Sequence, residues 1–401
     1  MRSLTMSATA KRAALALMLM TVTACRQAPV TQHVTPTPVA SPNTSPLAAC
    51  AATAASAGPQ VLLQNQPAPD DLVFDNAGRL LFSDIKTGFV SALNADGSVE
   101  RIVGGMSAPE GIVVQADGRI LVGEQGRNRV VAIDPKSHAV TLWHAFPNRT
   151  ARDGIDGIGP ILPSLDSQGN FLPTADNVIV PDSPNGVVWR VSSDGKTATQ
   201  IASGMVRPVG AAVDRAGRIF VADEGGTLWA LTPAKVRFAT LSTPDDVLVG
   251  RGGHIFVNTL GDNAIHELDS QGHQVGVITG IQQPQGIALD GADNLYYTEF
   301  NTGRIDRVIR SFTLDSPKVT RTGPSTYIVC PVIRRAAGFS RPLGLTPGSS
   351  LTTAILQLVQ PGTDSSGAFE VQTPEHSITI GVSTTDGGVN LGLSQNVSLS
   401  P

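Results

Sequence analysis

A repeated pattern between residues 60 and 310 limits the fold of this chain more than any other feature of its sequence. The pattern is a proline, a short apolar segment, a tight turn and a second apolar segment. Its six copies begin at prolines that lie 40, 51, 48, 36 and 40 residues apart: Pro69, Pro109, Pro160, Pro208, Pro244 and Pro284. A repeat of this length is typical of folds in which each copy supplies one small structural unit.

Each copy predicts four short strands. The turn after the first apolar segment carries a residue that tolerates positive φ; these residues are Gly78, Gly118, Gly169, Gly217, Gly253 and Asp293. A second and a third apolar segment follow, and a polar turn such as Asp96-Gly97 leads to a fourth. Four strands per copy, six times over, predict an all-β fold, a six-bladed β-propeller. The 41 Gly and 28 Pro among 401 residues suit many tight turns and argue against long helices.

The two flanks of the repeat have different roles in this prediction. Residues 60–64 look like a fourth strand that lacks its own blade, so they would complete the last blade and close the ring without open edges. Residues 311–401 leave the repeat, and the alternating pattern at residues 377–382 predicts a small C-terminal β-rich region. Residues 326–330 either belong to that region or form a strand that braces the ring.

The N-terminal segment predicts export. Residues 1–24 combine early basic residues with an apolar run that is too short to span a bilayer. The sequence Val22-Thr23-Ala24-Cys25 resembles the lipobox of bacterial lipoproteins, which implies cleavage before Cys25 and lipidation of its sulfur; an ordinary secretory signal is the alternative. Residues 25–59 are rich in Pro, Thr and Ala and predict a tether. The protein would then face the periplasm or the exterior from a cell membrane or outer membrane, with the lipid as its membrane contact.

Lipidation of Cys25 would leave two thiols, Cys50 and Cys330. In an oxidising exported compartment they would either form a disulfide or remain two separate thiols, and the sequence leaves both possibilities open.

The charge balance bears on the class of partner. The 29 basic and 33 acidic residues give a net charge of −4, without the basic excess typical of nucleic-acid binding. We therefore expect a small molecule or a protein as partner, and no nucleic acid.

Acidic residues recur where the predicted blades open to one face. The residues that follow the repeat prolines would meet there: Asp70, Glu110, Ile161, Val209, Asp245 and Gln285. So would the residues that close the second strands: Asp84, Glu124, Asp182, Asp223, Thr259 and Glu299. Eight carboxylates at one opening suit Ca²⁺ or another divalent cation with oxygen ligands. For the second set a structural role is the favoured interpretation, because such carboxylates accept backbone N–H bonds from the next turn.

The blade pattern resembles NHL repeats and the wider SMP-30/gluconolactonase-like superfamily of six-bladed propellers, and residues 295–301 look like a blade of the streptogramin B lyase-type propellers. The resemblance covers residues 60–310. It implies that Glu110, Asp245 and Asn185 hold a metal ion, because Glu110-Gly111, Pro244-Asp245 and Asn185-Gly186 match the family's metal-binding elements. Asp246 stands where the family has Gly, and Asn185 follows a second strand where the family element opens a first one.

One connection would cross the same face. Residues 146–159 join the second and third copies and contain Arg149 and Arg152, which we expect in a lid that faces the acidic opening or an anionic ligand.

Three functions remain in competition. The leading hypothesis is an exported, lipid-anchored propeller that binds a ligand or partner protein at its acidic mouth through a divalent cation. The second is a metal-dependent lactone hydrolase of the gluconolactonase-like type, with Asp70 as catalytic base. The third is a purely structural protein of the cell envelope.

Overall fold

In the computed structural model, six four-stranded antiparallel sheets and two three-stranded sheets account for the strands of the described residues. The structure describes residues 58–94, 96–147, 154–160, 177–336, 339, 343–347, 369–386 and 389–399. Within these ranges the helical residues are confined to two short 3-10 turns, Gln125–Arg127 and Ser183–Asn185. The all-β prediction is confirmed.

Strand order follows the sequence within each of the first five sheets. The first sheet contains β2 (Pro69–Phe74), β3 (Leu80–Asp84), β4 (Phe89–Leu93) and β5 (Val99–Val103). The second contains β6 (Pro109–Val114), β7 (Ile120–Glu124), β8 (Arg129–Ile133) and β9 (Val140–Ala145). The third contains β10 (Gly159–Pro160), β11 (Val178–Asp182), β12 (Val187–Val191) and β13 (Ala198–Ser203).

The remaining sheets of the repeat keep this order until the last, where the ring closes. The fourth contains β14 (Pro208–Val213), β15 (Ile219–Asp223), β16 (Thr227–Ala230) and β17 (Val236–Thr240). The fifth contains β18 (Pro244–Val249), β19 (Ile255–Thr259), β20 (Ala264–Leu268) and β21 (Gln274–Ile278). The sixth contains β22 (Pro284–Leu289), β23 (Leu295–Glu299) and β24 (Arg304–Val308), with β1 (Gln60–Leu63) as its outer strand.

Closure by the N-terminal strand is confirmed. Strand β1 pairs antiparallel with β24, and Gln60 lies opposite Arg307. The first strands of successive sheets contact one another, and β22 of the sixth sheet contacts β2 of the first. The ring of sheets is thereby closed, and its stability comes from apolar side chains packed between neighbouring sheets. One such cluster joins Val122 of the second sheet to Leu81 of the first.

The C-terminal region forms two three-stranded sheets that share one core. One sheet contains β25 (Phe312–Gly323), β26 (Thr326–Arg335) and β28 (Phe369–Gln372). The other contains β27 (Gly344–Pro347), β29 (Ser377–Asp386) and β30 (Val389–Ser398).

This region rests against the sixth sheet of the ring. Ala292, in the turn between β22 and β23, belongs to the same apolar cluster as Phe312. Asn294 donates its side-chain amide to the Phe312 carbonyl at 2.6 Å. That turn lies at the opposite end of β22 from Pro284, so the C-terminal region packs away from the face at which the first strands begin.

No helix among the described residues has both the length and the apolar character needed to cross a bilayer.

Candidate functional site

The register of the sheets brings equivalent residues to one face of the ring. In five sheets the first residue of the first strand pairs with the last residue of the second strand, as Pro69 pairs with Asp84 and Pro109 with Glu124. First strands therefore begin, and second strands end, at the same face, which we call the mouth. The residue after each of these prolines is Asp70, Glu110, Val209, Asp245 or Gln285.

The third sheet corrects the sequence-based alignment. Its first strand pairs Gly159 with Ile179 and Pro160 with Val178, whereas in the second sheet Val114 pairs with Ile120. Pro160 thus occupies the place of Val114, at the far end of the first strand, and Asp156 occupies the place of Glu110. The alignment on proline was wrong for this copy because Ile155 stands where the other sheets have proline. The mouth residue of the third sheet is therefore Asp156, and Ile161 lies outside the described residues.

The next position along each first strand sits where neighbouring strands come closest. It is occupied by Asp71, Gly111, Gly157, Gly210, Asp246 and Gly286. A Cβ on Gly111 would lie 2.5 Å from the Ile158 nitrogen, and one on Gly286 would lie 2.4 Å from the Asp70 carbonyl oxygen. Glycine at these positions therefore allows first strands of adjacent sheets to approach.

Asp71 and Asp246 occupy this position in the first and fifth sheets, where each accepts a hydrogen bond from the neighbouring sheet. Asp71 accepts the N–H of Ile112, in the next sheet, at 2.7 Å, and Asp246 accepts the N–H of Ile287 at 3.3 Å. Each also accepts the N–H of the residue that follows it in its own strand. The replacement of the expected Gly by Asp246 thus places a second layer of carboxylates below the mouth residues.

These residues enclose a central cavity of about 20 Å³. Five aspartates line it: Asp70, Asp71, Asp156, Asp245 and Asp246. A volume of this size is enough for one or two water molecules or a single ion. The sequence-predicted pair of Asp70 and Asp245 is therefore brought to one cavity, together with Asp156, which the sequence analysis missed.

Burial and mutual repulsion perturb these acids strongly. Burial raises the pKa of Asp70 and of Asp245 well above the usual range, and the charge of Asp156 raises both further. Burial also raises the pKa of Asp71, with the Asp246 charge as the next cause. The pKa of Asp246 itself is raised to about 7 by burial, although the N–H groups of Val247 and Ile287 oppose the shift. The cavity therefore holds more negative charge than its protein surroundings compensate.

Glu110 adjoins the cavity through Asp156. The side chain is 4% exposed, and its pKa is raised first by burial and then by the charge of Asp156, to which it is hydrogen-bonded. A hydrogen bond between two carboxyl groups requires a proton on one of them. The oxygen Oε2 of Glu110 is buried and receives no hydrogen bond from a donor of the described residues. Such an atom is costly unless something binds it.

Arg207 is the positively charged side chain next to Glu110 and Asp156. It donates from Nη2 to Asp156 Oδ2 at 2.7 Å, and its Nη1 forms an ion pair with Glu224 Oε2 at 2.7 Å. Its positive charge lowers the pKa of Glu110, against the larger effect of burial. Arg207 is thus shared between two carboxylates and neutralises only part of the cluster.

The donor set fits a hard divalent cation by chemistry. It consists of carboxylate oxygens from several sheets and includes the unpartnered Oε2 of Glu110, and Ca²⁺ takes six to eight oxygen ligands. As the side chains of the described residues stand, however, no group of three or more His, Cys, Asp and Glu side chains is placed to ligate a metal ion. Ion binding here would therefore include rearrangement of these carboxylates.

The carboxylates that close the second strands have other partners. Asp84 accepts the N–H of Ala68 at 3.1 Å and that of Thr87 at 2.8 Å. Asp223 accepts the N–H groups of Val206 and Arg207. These bonds tie the mouth loops to the strands, as expected for a structural role.

Solved structures share this architecture. A gluconolactonase from Xanthomonas campestris is 18% identical to this chain and superimposes with a TM-score of 0.51, covering 62% of this chain and 88% of that one. A calcium-binding regucalcin from Agrobacterium tumefaciens is 13% identical, with a TM-score of 0.52 and coverage of 63% and 93%. No family model matches the sequence, and no curated protein does.

This chain has the fold of the gluconolactonase-like β-propellers. The resemblance found in the sequence is thus confirmed at the level of fold.

Within this propeller, Asn185 lies away from the carboxylate cluster. It is exposed in the turn after β11, where its amide donates to both carboxylate oxygens of Asp182 at 3.0 and 3.1 Å. The structure therefore does not bring Asn185 to the cavity with Asp245, because the Asn-Gly pair follows a second strand and does not begin a first one.

The other sequence-predicted sites fall mostly outside the described residues. This applies to Arg149 and Arg152 of the expected lid, to Cys25 and to Cys50. Cys330 is buried in β26 and is disulfide-bonded. Its pairing with Cys50 stays a prediction.

A signal for Asp156 was present in the sequence. Asp156-Gly157-Ile158 repeats Glu110-Gly111-Ile112, acid, glycine and isoleucine in the same order. Aligning the copies on this triplet, instead of on proline, would have placed Asp156 at the mouth.

Proposed function

We propose that this protein is an exported β-propeller that binds a divalent cation in its central cavity and, through it, a ligand at the mouth. The observation that carries the proposal is the cluster of Asp70, Glu110, Asp156 and Asp245. These acids come from four different sheets; Asp70, Glu110 and Asp245 are buried and Asp156 is half-buried. One arginine balances them, and Glu110 Oε2 accepts no hydrogen bond. A divalent cation would supply the missing charge compensation. Ca²⁺ is the favoured ion because all the donors are oxygens.

A solved structure with the same fold supports Ca²⁺ as the bound ion. The Agrobacterium regucalcin is described as calcium-binding, and it shares this architecture over most of its length.

The test is calorimetric titration of Ca²⁺ into the protein and into a Glu110→Gln/Asp245→Asn double variant. We expect measurable binding that weakens at least about tenfold in the variant, because two anionic ligands are lost. The matched control is Asp117→Asn/Asp194→Asn, which removes two exposed carboxylates from turns at the opposite ends of the strands. Absence of binding in the unaltered protein, or equal weakening in the control, would contradict the proposal.

A lactone hydrolase is the second candidate, favoured by the shared fold with the Xanthomonas gluconolactonase and by the position of Asp70 at the cavity. The bound ion would polarise the lactone carbonyl. Asp70 would take a proton from water as the water oxygen bonds to the carbonyl carbon, and the ring C–O bond would then break. Its oxygen leaves as an alcohol after protonation, and the product is a hydroxy acid.

Hydrolysis is tested with sugar lactones and homoserine lactones in the presence of added divalent cations, by acid release at constant pH. Activity that falls at least about 100-fold in Asp70→Asn would support the enzyme. If no lactone is hydrolysed while Ca²⁺ still binds, the lactone hydrolase candidate is contradicted and the cation-binding proposal stands.

We also propose that Cys25 carries the lipid anchor, on the strength of the Val22-Thr23-Ala24-Cys25 sequence. Labelling of the expressed protein with a radioactive fatty acid should depend on Cys25 and persist in Cys50→Ser. Equal labelling of a Cys25→Ser variant would contradict the anchor.

A further inference from the structure

The residue that directly follows each second strand lies beside the start of a first strand. In five sheets its backbone N–H donates to the carbonyl of the residue before the repeat proline. The bonds are Ile85 to Ala68, Gln125 to Ala108, Glu224 to Arg207, Leu260 to Thr243 and Phe300 to Gln283, at 2.9–3.1 Å. This position is therefore part of the mouth.

One side chain at this position, that of Glu224, is linked to the carboxylate cluster through Arg207. Glu224 contacts Arg207 at 2.7 Å, and Arg207 in turn contacts Asp156, which lines the cavity. In the other sheets the residue at this position makes the equivalent backbone hydrogen bond, so its side chain begins at the corresponding place on the mouth.

The residue that follows each second strand is apolar in one half of the mouth and polar in the other. It is apolar in three consecutive sheets, the fifth, sixth and first, with Leu260, Phe300 and Ile85. The sixth and first sheets are neighbours, because β22 contacts β2. In the second, third and fourth sheets it is polar, with Gln125, Ser183 and Glu224. We call the first group the apolar arc.

The apolar arc is not part of the packed interior. Leu260, Phe300 and Ile85 are each half-buried, and none of them belongs to a hydrophobic cluster formed by the described residues. Three large apolar side chains at one position in consecutive sheets, on the face that also carries a polar cavity, are an arrangement that ligand sites use for affinity, with the polar groups fixing orientation.

We propose that the ligand of the mouth carries a hydrocarbon group, which lies on the apolar arc, and an oxygen-bearing end, which lies at the carboxylate cavity. This inference rests on the proposed function for the position of that polar end. A fully hydroxylated sugar lactone would bury hydroxyl groups against Leu260 and Phe300, at a cost in free energy.

The experiment uses a homologous series of lactones as probes: γ-butyrolactone, γ-hexalactone, γ-octalactone and γ-decalactone. Affinity for the Ca²⁺-loaded protein is measured by ligand-observed NMR titration. We expect it to rise along the series by up to about fourfold for each methylene group buried on the apolar arc. Phe300→Ala and Leu260→Ala should each weaken γ-decalactone binding by about tenfold and leave γ-butyrolactone binding unchanged.

The matched control is Leu142→Ala. Leu142 is 60% exposed on the outer strand β9, so this variant removes the same side chain as Leu260→Ala at a site away from the mouth. It should keep the full dependence on chain length. Thermal unfolding of each variant verifies that it is folded, and Phe300→Leu, which keeps an apolar side chain, should retain most of the γ-decalactone affinity.

Failure of this inference and failure of the proposed function give different results. Affinity that does not change along the series, no binding of any lactone, or an equal loss in Leu142→Ala would overturn the apolar arc, whether or not Ca²⁺ binds. Chain-length dependence that needs Phe300 but persists in protein that binds no Ca²⁺ would support the apolar arc and overturn the cation site.

Discussion

Two sets of buried carboxylates meet at the same face of this propeller, and their surroundings differ. Those that close the second strands, such as Asp84, Glu124 and Asp223, are at most 3% exposed and accept backbone N–H groups from the adjoining loops. Those that follow the starts of the first strands, Asp70 and Asp245 among them, face one another across a cavity. Burial alone therefore does not distinguish a functional carboxylate from a structural one.

The distinguishing property is the partner of each acid. Glu124 contacts two guanidinium groups, those of Arg127 and Arg129, as well as the Ser107 N–H. Glu110 has another acid as its neighbour and one oxygen without a partner. We conclude that the closing carboxylates stabilise the fold, whereas the central ones cost stability that a bound cation would restore.

The largest effect is expected from a closing carboxylate. Asp223→Ala leaves four donors without an acceptor: the N–H groups of Val206, Arg207 and Gly225 and the indole of Trp229. The free energy of unfolding should fall by about 3–5 kcal/mol, measured by denaturant titration. Asp194→Ala, in an exposed turn, should lose much less stability. Similar losses in both variants would contradict the division into two sets.

The next effect concerns pH in the absence of divalent cations. The pKa of Asp246 is about 7 in the folded protein, against about 3.9 for an unfolded Asp, so the folded state binds more protons between these values. The contribution of Asp246 to stability is therefore expected to be fully present below about pH 4 and to be lost as pH rises through about 7, a loss on the order of 2–4 kcal/mol.

Thermal unfolding at a series of pH values with a chelator present checks this dependence, and Asp246→Asn should flatten it. Addition of Ca²⁺ at pH 8 should recover part of the lost stability, since the ion binds the folded state. Stability that rises between pH 4 and pH 7 in the chelated protein would show that the central acids are compensated by groups of the protein itself.

A smaller effect, a gain in the free energy of unfolding, is expected when a carboxylate at the central cavity is neutralised. Glu110→Gln replaces repulsion from Asp156 by an amide donor, so the ion-free protein should gain about 1–2 kcal/mol at pH 8. Glu124→Gln should instead lose stability, because Glu124 is paired with Arg127 and Arg129. Chemical denaturation of both variants makes the comparison, and a loss in both would remove the distinction between the two sets.

The smallest effect tests a single bond within the closing set. Trp229→Phe removes the indole N–H that donates to Asp223 at 2.9 Å and leaves the three backbone donors in place. A loss of about 1 kcal/mol is expected in the free energy of unfolding, with Ca²⁺ affinity unchanged. A marked loss of Ca²⁺ affinity would mean that the closing carboxylates take part in the central site.

Short-range patterns in the sequence were sufficient to predict the all-β propeller fold and its closure by residues 60–64. The alternation of apolar residues and the turn glycines specify strands and hairpins locally, and the period of the repeat specifies their order. The same period placed Asp70, Glu110 and Asp245 at equivalent positions, because each directly follows a repeat proline. It misplaced the third copy, where Ile155 replaces proline and Asp156 was overlooked.

Which side chain meets which across the ring was decided by the tertiary structure alone. The proximity of Glu110 to Asp156, the ion pair of Arg207 with Asp156 and the run of Leu260, Phe300 and Ile85 bring together residues of different sheets. No local pattern encodes such pairs, because they depend on how neighbouring sheets pack and where the ring closes. The sequence by itself determined the strands and the positions of most of the central acids; only the closed ring determined which acids were left without partners, and that lack of compensation is the physical basis for the proposed site.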